Sequence, residues 1–256
     1  MKYHFFLRTL GALALMVDPA PLPPSCRQLL LVVTPSYEAT QGSLHTFTRS
    51  SATAQWQEVA GPIPIFVGRS GQGWGKGLHT DFPSHRPVKR EGDGRSPAGA
   101  FNLSTAFGLP SAEELAPLHF PYLQITESLE CVDDSQSLYY NVLTDRHKVE
   151  SDWLSSENML TVKIEYRLGV FVDHNTNSRL PGLGSCIFLH VWSAPGHPTA
   201  GCTAMAGEEM ERIVKWLNAE SLPVLVQLPQ EEYARLRQAW QLPVVIWPKS
   251  AQPNLE

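Results

Sequence analysis

Prolines and glycines divide the apolar segments of this chain into short pieces, and this division constrains the fold more than any other feature. The 256 residues include 21 prolines and 18 glycines, which stand between short apolar runs rather than in long tracts. A proline removes a backbone donor and fixes one torsion angle, so it ends or kinks a helix. The pattern therefore predicts a compact, turn-rich domain rather than a disordered chain.

The apolar runs favour strands, because they alternate with period two or form short continuous blocks. The clearest predicted strands are 29–34, 63–68, 164–173, 186–192 and 223–228. Two segments instead repeat apolar residues at helical spacing, a longer one over 208–219 and a shorter one over 230–239. We therefore predict a mainly β fold with a few helices at its edges, arranged as a sandwich.

Length and charge exclude several functional classes. A chain of this length and ordinary apolar content is long enough for one sizeable core, so one domain with one active site is expected. The formal net charge is −5, and the basic residues are scattered apart from the run between Arg86 and Arg95. A nucleic-acid-binding protein usually carries a basic face, so we predict no nucleic-acid partner.

Residues 1–25 are typical of an export signal or a separate N-terminal segment. Lys2 and Arg8 supply positive charge beside an apolar run that is too short for an ordinary membrane span. A disordered or buried N-terminus of a cytosolic protein stays open as the alternative, because no clean cleavage site follows. We predict an exported protein with one domain over residues 26–245, a tail over 246–256 and no stable membrane span.

The reactive side chains are concentrated in residues 184–205. An apolar strand delivers His190 near its end, and a loop rich in proline and glycine then leads to Cys202. A thiol must ionise to act as a nucleophile, and both an imidazole and the positive end of the helix predicted to follow would favour the thiolate. We therefore predict Cys202 as the nucleophile and His190 as its general base.

Neighbouring residues are assigned supporting roles. Gly201 allows a close backbone approach, and the amides of Gly201 and Thr203 are predicted to face an oxyanion. The residues predicted to line a cleft are Thr199, Ser193, Trp192 and His197. His197 is also a rival base, although a loop histidine beside a proline is more often solvated.

Other interpretations of these residues stay open. Cys202 is also compatible with a small buried apolar side chain or a disulfide partner, and His190 with a strand-end histidine that bonds to the backbone. A zinc site formed by His190, His197 and Cys202 would lack the paired spacing of common zinc ligands, so we predict no metal. The other cysteines, whose state the sequence leaves open as a disulfide or buried thiols, are Cys26, Cys131 and Cys186.

Two parts of the chain resemble the L,D-transpeptidase catalytic domain, the YkuD family. The first is residues 185–190 followed by 199–205, of which the Gly201-Cys202 pair is the most specific element; the second is 68–75 followed by 89–101. The similarity covers residues 28–228. It implies an L,D-transpeptidase-like β-sandwich with the cysteine in a cleft, a periplasmic or cell-envelope location, and no metal or organic cofactor.

The resemblance also implies a reaction on peptidoglycan stem peptides. Cys202 would attack the amide after the third stem residue, release the terminal D-alanine and hold an acyl-enzyme, which an amine of a neighbouring stem then accepts. We expect a monomer. The chain has Ala200 and Ala204 where many family members have histidine and arginine. A hydrolase on the same scaffold and a non-catalytic cell-wall-binding protein are the alternatives.

Overall fold

The computed structural model of the chain describes residues 20–79, 85–162 and 164–245. Most of the predicted export segment and the whole predicted tail therefore lie outside the described residues. Leu22 is buried against the core, so the packed part of the chain begins before the predicted domain start at residue 26. No helix among the described residues combines the length and the apolar composition needed to cross a membrane.

The described part of the chain is mainly β, as predicted. Its strands are β1 Gln28–Thr34, β2 Gln41–Thr48, β3 Gln57–Phe66, β4 Gln72–Trp74, β5 Ser96–Gly108, β6 Tyr122–Gln124, β7 Leu129–Val132, β8 Leu143–Asp145, β9 Ser156–Asn158, β10 Leu168–Val172, β11 Phe188–Val191, β12 Thr203–Met205 and β13 Val224–Pro229. Its α-helices are α1 Ala112–Leu115, α2 Gly207–Trp216 and α3 Gln230–Leu236. Short 3₁₀ turns cover Glu165–Arg167 and Ala219–Ser221.

Eight of the strands close into a ring. Their order is β10-β11-β12-β3-β2-β1-β13-β5, and β5 pairs again with β10. The length of β5 makes this closure possible, because residues 99–102 pair with β13 and residues 103–108 pair with β10. Strands β4 and β6 also pair with β5, and β8-β7-β9 form a separate small sheet.

The interior of the ring is the largest apolar core. Every ring strand contributes to it, and helix α2 packs against it through Met210, Ile213 and Val214. Side chains alternate between the two faces of a strand. In β1, Leu30 therefore belongs to the interior, whereas Leu29 and its alternate neighbours pack outside the ring against α3. All seven residues of β1 are buried because both faces are covered.

A third apolar cluster lies on the outer face of β10 and β11. It joins Phe171 and Phe188 to Leu129 and Met159 from the region of the small sheet. A disulfide between Cys131 in β7 and Cys186, just before β11, links the two parts of this cluster. The cluster also contains Cys202, so the candidate nucleophile lies where the small sheet meets the ring.

The predicted elements differ from the observed ones in specific places. The predicted strand 164–173 begins as a 3₁₀ turn, and only Leu168–Val172 is extended. The predicted helix 208–219 ends at Trp216, because Leu217 has an extended ψ of 136°. The predicted strands 29–34 and 223–228 agree with β1 and β13 to within one residue. The finer prediction of an L,D-transpeptidase-like sandwich stays a prediction.

Candidate active site

Cys202 and His190 face the same side of two adjacent parallel strands. His190 pairs with Ala204 and Leu189 pairs with Thr203 in the ladder between β11 and β12. Leu189 belongs to the interior core, so alternation places His190 on the outer face, together with Ala204. Cys202 precedes Ala204 by two residues and shares that face. The spacing of strands and residues puts the Cα atoms of Cys202 and His190 about 8 Å apart along a diagonal.

The Cys202 thiol is bonded to backbone groups rather than to the imidazole. Its Sγ accepts a hydrogen bond from the Phe188 N–H at 3.3 Å and donates to the Cys186 carbonyl at 3.6 Å. Within the described part of the chain, neither ring nitrogen of His190 is hydrogen-bonded to the Cys202 Sγ. The thiol is free, so the disulfide interpretation of Cys202 is wrong; Cys26 is the second free thiol among the described cysteines.

The charge state of the thiol differs from the sequence-based expectation. Burial, reinforced by the Glu157 carboxylate, raises the pKa of the Cys202 thiol to about 12. The Phe188 N–H and the Lys89 ammonium lower this pKa, but by less than burial raises it. Without substrate, Cys202 is therefore a neutral thiol at neutral pH rather than the predicted thiolate.

The expected contribution of a helix N-terminus is also wrong. Helix α2 begins at Gly207, and strand β12 stands between this residue and Cys202. The three residues of an extended strand span about 10 Å. The field of a helix end is effective only within its first turn. The sequence placed the helix soon after the cysteine but missed the intervening strand.

His190 is held in the tautomer that a general base requires. Its Nδ1 lies 2.7 Å from the Val191 carbonyl oxygen, which can only accept a hydrogen bond. Nδ1 therefore carries the proton, and Nε2 keeps a lone pair. Burial lowers the pKa of His190 below the ordinary histidine value, so the ring is neutral at pH 7.

His190 opens onto a narrow cleft of 230 Å³. The structure brings all four predicted cleft residues to this cleft. The described residues that line it are Val162, Glu165, Tyr166, His190, Trp192, Ser193, His197, Pro198, Thr199, Ala200 and Ala204. Cys202 is not among the described lining residues and is 9% exposed, so the thiol is buried and does not open onto this cleft. His197 is exposed, and its Nδ1 is 3.4 Å from Ser193 Oγ, away from the thiol's hydrogen-bond partners.

The turn before Cys202 is fixed by two hydroxyl groups. Thr199 Oγ1 and Ser96 Oγ both donate to the Cys202 carbonyl, at 2.6 and 2.7 Å. Thr199 Oγ1 also accepts the Gly201 N–H at 3.1 Å. The Gly201 amide must leave this hydroxyl before it can serve an oxyanion. The Thr203 hydroxyl donates to Gln227 at 2.7 Å, on the inner side of the sheet.

Tyr166 and Glu157 belong to the site although the sequence did not indicate them. The Tyr166 ring stands edge-on to His190 with centroids 5.6 Å apart, and it packs in the same way on Phe188. Its hydroxyl donates to Glu157 Oε2 at 2.5 Å. Burial raises the pKa of the Glu157 carboxyl. Both residues reach the site from the segment before β10, which tertiary packing alone brings there.

The described residues contain a free thiol, a neutral imidazole on the same face of the sheet and a cleft that the imidazole lines, which are the parts that acyl transfer by a thiol would need. The described residues contain no group of three or more histidine, cysteine or acidic side chains arranged to hold a metal ion. No protein-family model, no curated protein and no solved structure matches the chain. The candidate function therefore rests on the chemistry of the site and on the resemblance in its sequence.

Proposed function

We propose that this chain is a cysteine-dependent L,D-transpeptidase that acts on peptidoglycan stem peptides through an acyl-enzyme on Cys202. One observation carries the proposal: a neutral imidazole, with Nδ1 committed to the Val191 carbonyl, faces the same side of the sheet as the thiol. A base whose second nitrogen is oriented by an acceptor is the usual partner of a catalytic thiol. The resemblance of residues 185–205 to the YkuD signature supplies the substrate class.

The neutral thiol determines how the first step proceeds. Rotation about the Cys202 Cα–Cβ bond, between staggered positions, would turn Sγ from the Cys186 carbonyl towards His190. The thiol proton then passes to His190 Nε2 as Sγ bonds to the substrate carbonyl carbon. The resulting imidazolium keeps its Nδ1–H bond to Val191, which stabilises the charge. Collapse of the tetrahedral intermediate breaks the amide bond, and Nε2–H protonates the departing D-alanine.

The second half of the reaction reverses these transfers. The acyl group stays on Cys202 as a thioester until an acceptor amine attacks its carbonyl carbon. His190 Nε2 accepts a proton from the amine, and the thiol leaves with that proton. If water replaces the amine, the same steps give a hydrolase that trims the stem without cross-linking it.

Location and fold belong to the same proposal. The Cys131–Cys186 disulfide supports an oxidising compartment, because such bonds are rare in the reducing cytosol. The closed sheet and its outer cleft agree with a β-rich L,D-transpeptidase-like domain. We accordingly propose a periplasmic or cell-envelope location for the protein.

Product analysis tests the proposal. Purified protein is incubated with tetrapeptide-bearing muropeptides, and the products and any acyl-enzyme are identified by mass spectrometry. The variants Cys202→Ala and His190→Ala should form neither product nor acyl-enzyme. Cys26→Ser is the matched control, since Cys26 is also a buried free thiol but bonds to the Gln28 carbonyl in a different core.

The products separate the possible functions. Cross-linked dimers support the transpeptidase, and trimmed stems alone support the hydrolase. If Cys202→Ala forms product as fast as the unaltered protein, thiol catalysis is refuted. Binding of muropeptides without turnover by both proteins would instead support the cell-wall-binding alternative.

A further inference from the structure

A lysine is buried beside the turn that carries Cys202. Lys89 is 3% exposed. Its Nζ donates to Asp93 Oδ1 at 2.8 Å and to the Arg90 carbonyl at 2.6 Å. An ammonium has three donors, and the third has no hydrogen-bond partner among the described residues. Lysine is almost never fully buried unless it is paired, and the Asp93 carboxylate supplies that pair here.

The side chain of Lys89 lies next to Gly184 and Gly201. A methyl group placed on Gly201 would lie 3.8 Å from Lys89 Nζ, and one placed on Gly184 would lie 3.0 Å from Lys89 Cε. Gly201 directly precedes Cys202, so the ammonium sits against the backbone of the nucleophile. At Gly184 a side chain would crowd the lysine, whereas at Gly201 the ammonium lies at ordinary van der Waals distance.

Lys89 is the cation among the charged groups that act on the thiol. Glu157 approaches from β9 with the opposite effect, and the Tyr166 hydroxyl bonds to that carboxylate. His190 is neutral, as described above. Asp93 Oδ1 accepts a hydrogen bond from the ammonium, and the same oxygen accepts the Arg95 N–H at 2.9 Å. The charge balance at Cys202 therefore depends on Lys89 and on how strongly Asp93 neutralises it.

We propose that Lys89 is a positioning residue whose ammonium stabilises the negative charge that develops on Cys202 during the reaction. Asp93 attenuates this effect by pairing with the ammonium. The inference rests on the proposed function insofar as Cys202 is the nucleophile, but it concerns the thiol itself and needs no peptidoglycan substrate. If Lys89 and Asp93 were only structural, removing either side chain would change the reactivity of Cys202 in the same direction. If their charges act on the thiol, removing Lys89 lowers this reactivity and removing Asp93 raises it.

The test is the pH dependence of Cys202 alkylation by iodoacetamide. Rates are measured between about pH 6 and pH 10 and assigned by peptide mapping, for the unaltered protein, Lys89→Met, Asp93→Asn and the double variant. Removing a nearby opposite charge shifts a pKa by about one unit or more. We expect Lys89→Met to slow alkylation about tenfold below the thiol pKa and Asp93→Asn to accelerate it. Cys26 is the internal reference, and its rate should be equal in all four proteins.

Stability and turnover are kept separate from this result. If Lys89→Met does not fold, which circular dichroism would show, the comparison is between Asp93→Asn and the double variant, and the latter must react more slowly. Equal profiles in all variants, shifts of the same sign, or no alkylation of Cys202 in any of them would overturn the proposal. Muropeptide turnover is assayed in parallel. Absence of turnover with the expected alkylation pattern would refute the transpeptidase and leave the role of Lys89 standing.

Discussion

Removing the disulfide between Cys131 and Cys186 should destabilise the protein substantially. The bond joins residues that are 55 positions apart. In the chain-entropy description, a loop of this length loses entropy worth about 4 kcal/mol at 25 °C when it is closed in the unfolded chain. We therefore expect the Cys131→Ala, Cys186→Ala double variant to have a free energy of unfolding lower by about 4 kcal/mol.

The loss should arise mainly from the unfolded chain rather than from a rearranged site. The Cys186 N–H is also bound by Asn141 Oδ1 at 2.9 Å, and this contact survives the substitutions. The Cys186 carbonyl, which accepts a hydrogen bond from the Cys202 thiol, should therefore stay in place. At a low temperature, where the double variant is still folded, its rate of muropeptide turnover should stay close to that of the unaltered protein.

Urea unfolding at equilibrium measures the effect. The free energy in water and its dependence on urea are compared for the unaltered protein, the double variant and Cys26→Ser, which breaks no disulfide. A decrease of less than about 1 kcal/mol would refute the estimate, because it would mean that the cross-link does not restrict the unfolded chain as its span requires.

Three further predictions concern acid stability, the pH profile and the turn. Burial lowers the pKa of His174 to about 4, and the hydrogen bond from its Nε2 to the Leu183 carbonyl raises this pKa by less. Its Nδ1 accepts the Lys76 N–H, which requires the neutral ring. The neutral ring therefore contributes to the free energy of unfolding above pH 6.5, and this contribution falls by about 1.4 kcal/mol per pH unit as the pH is lowered towards 4. Urea unfolding at several pH values should show a flatter dependence of this free energy on pH for His174→Asn. Because burial also lowers the pKa of His190, the acid limb of kcat/KM should lie below pH 6.5; a limb near pH 7 in the activity assay would contradict this. Thr199→Val leaves the Gly201 amide without its acceptor and should cost about 1–3 kcal/mol in thermal unfolding, whereas exposed Ser193→Ala should cost less than about 0.5 kcal/mol.

Strands with two covered faces were the easiest to predict. The apolar runs of β1 and β13 are continuous because both sides of each strand are buried. Strand β5 was missed because its first residues, Ser96, Pro97, Ala98 and Gly99, are small and typical of turns. This segment is extended because it pairs with β4 and β13.

The site was predictable to the extent that it is local in the chain. The thiol, the imidazole and the four predicted cleft residues fall between residues 190 and 204, whereas the cleft is also lined by Val162, Glu165 and Tyr166, and the thiol is not part of the lining. Tyr166, Glu157 and Lys89 reach the site from distant segments, and no periodicity connects them to it. The local pattern also did not predict β12, which lies between Cys202 and the first residue of α2 and so keeps the helix N-terminus away from the thiol.

The closed ring has a consequence for how a peptide can be recognised. Each of its eight strands is hydrogen-bonded to a partner on either side, so the main chain around His190 offers no open edge to which a substrate could add as a further strand. Outer edges remain on β4, on β6 and on the small sheet, whose edge strand β9 carries Glu157. Under the proposed function, side chains and loop amides lining the cleft would select the stem peptide, and exchange of those few groups would change substrate preference without altering the sheet.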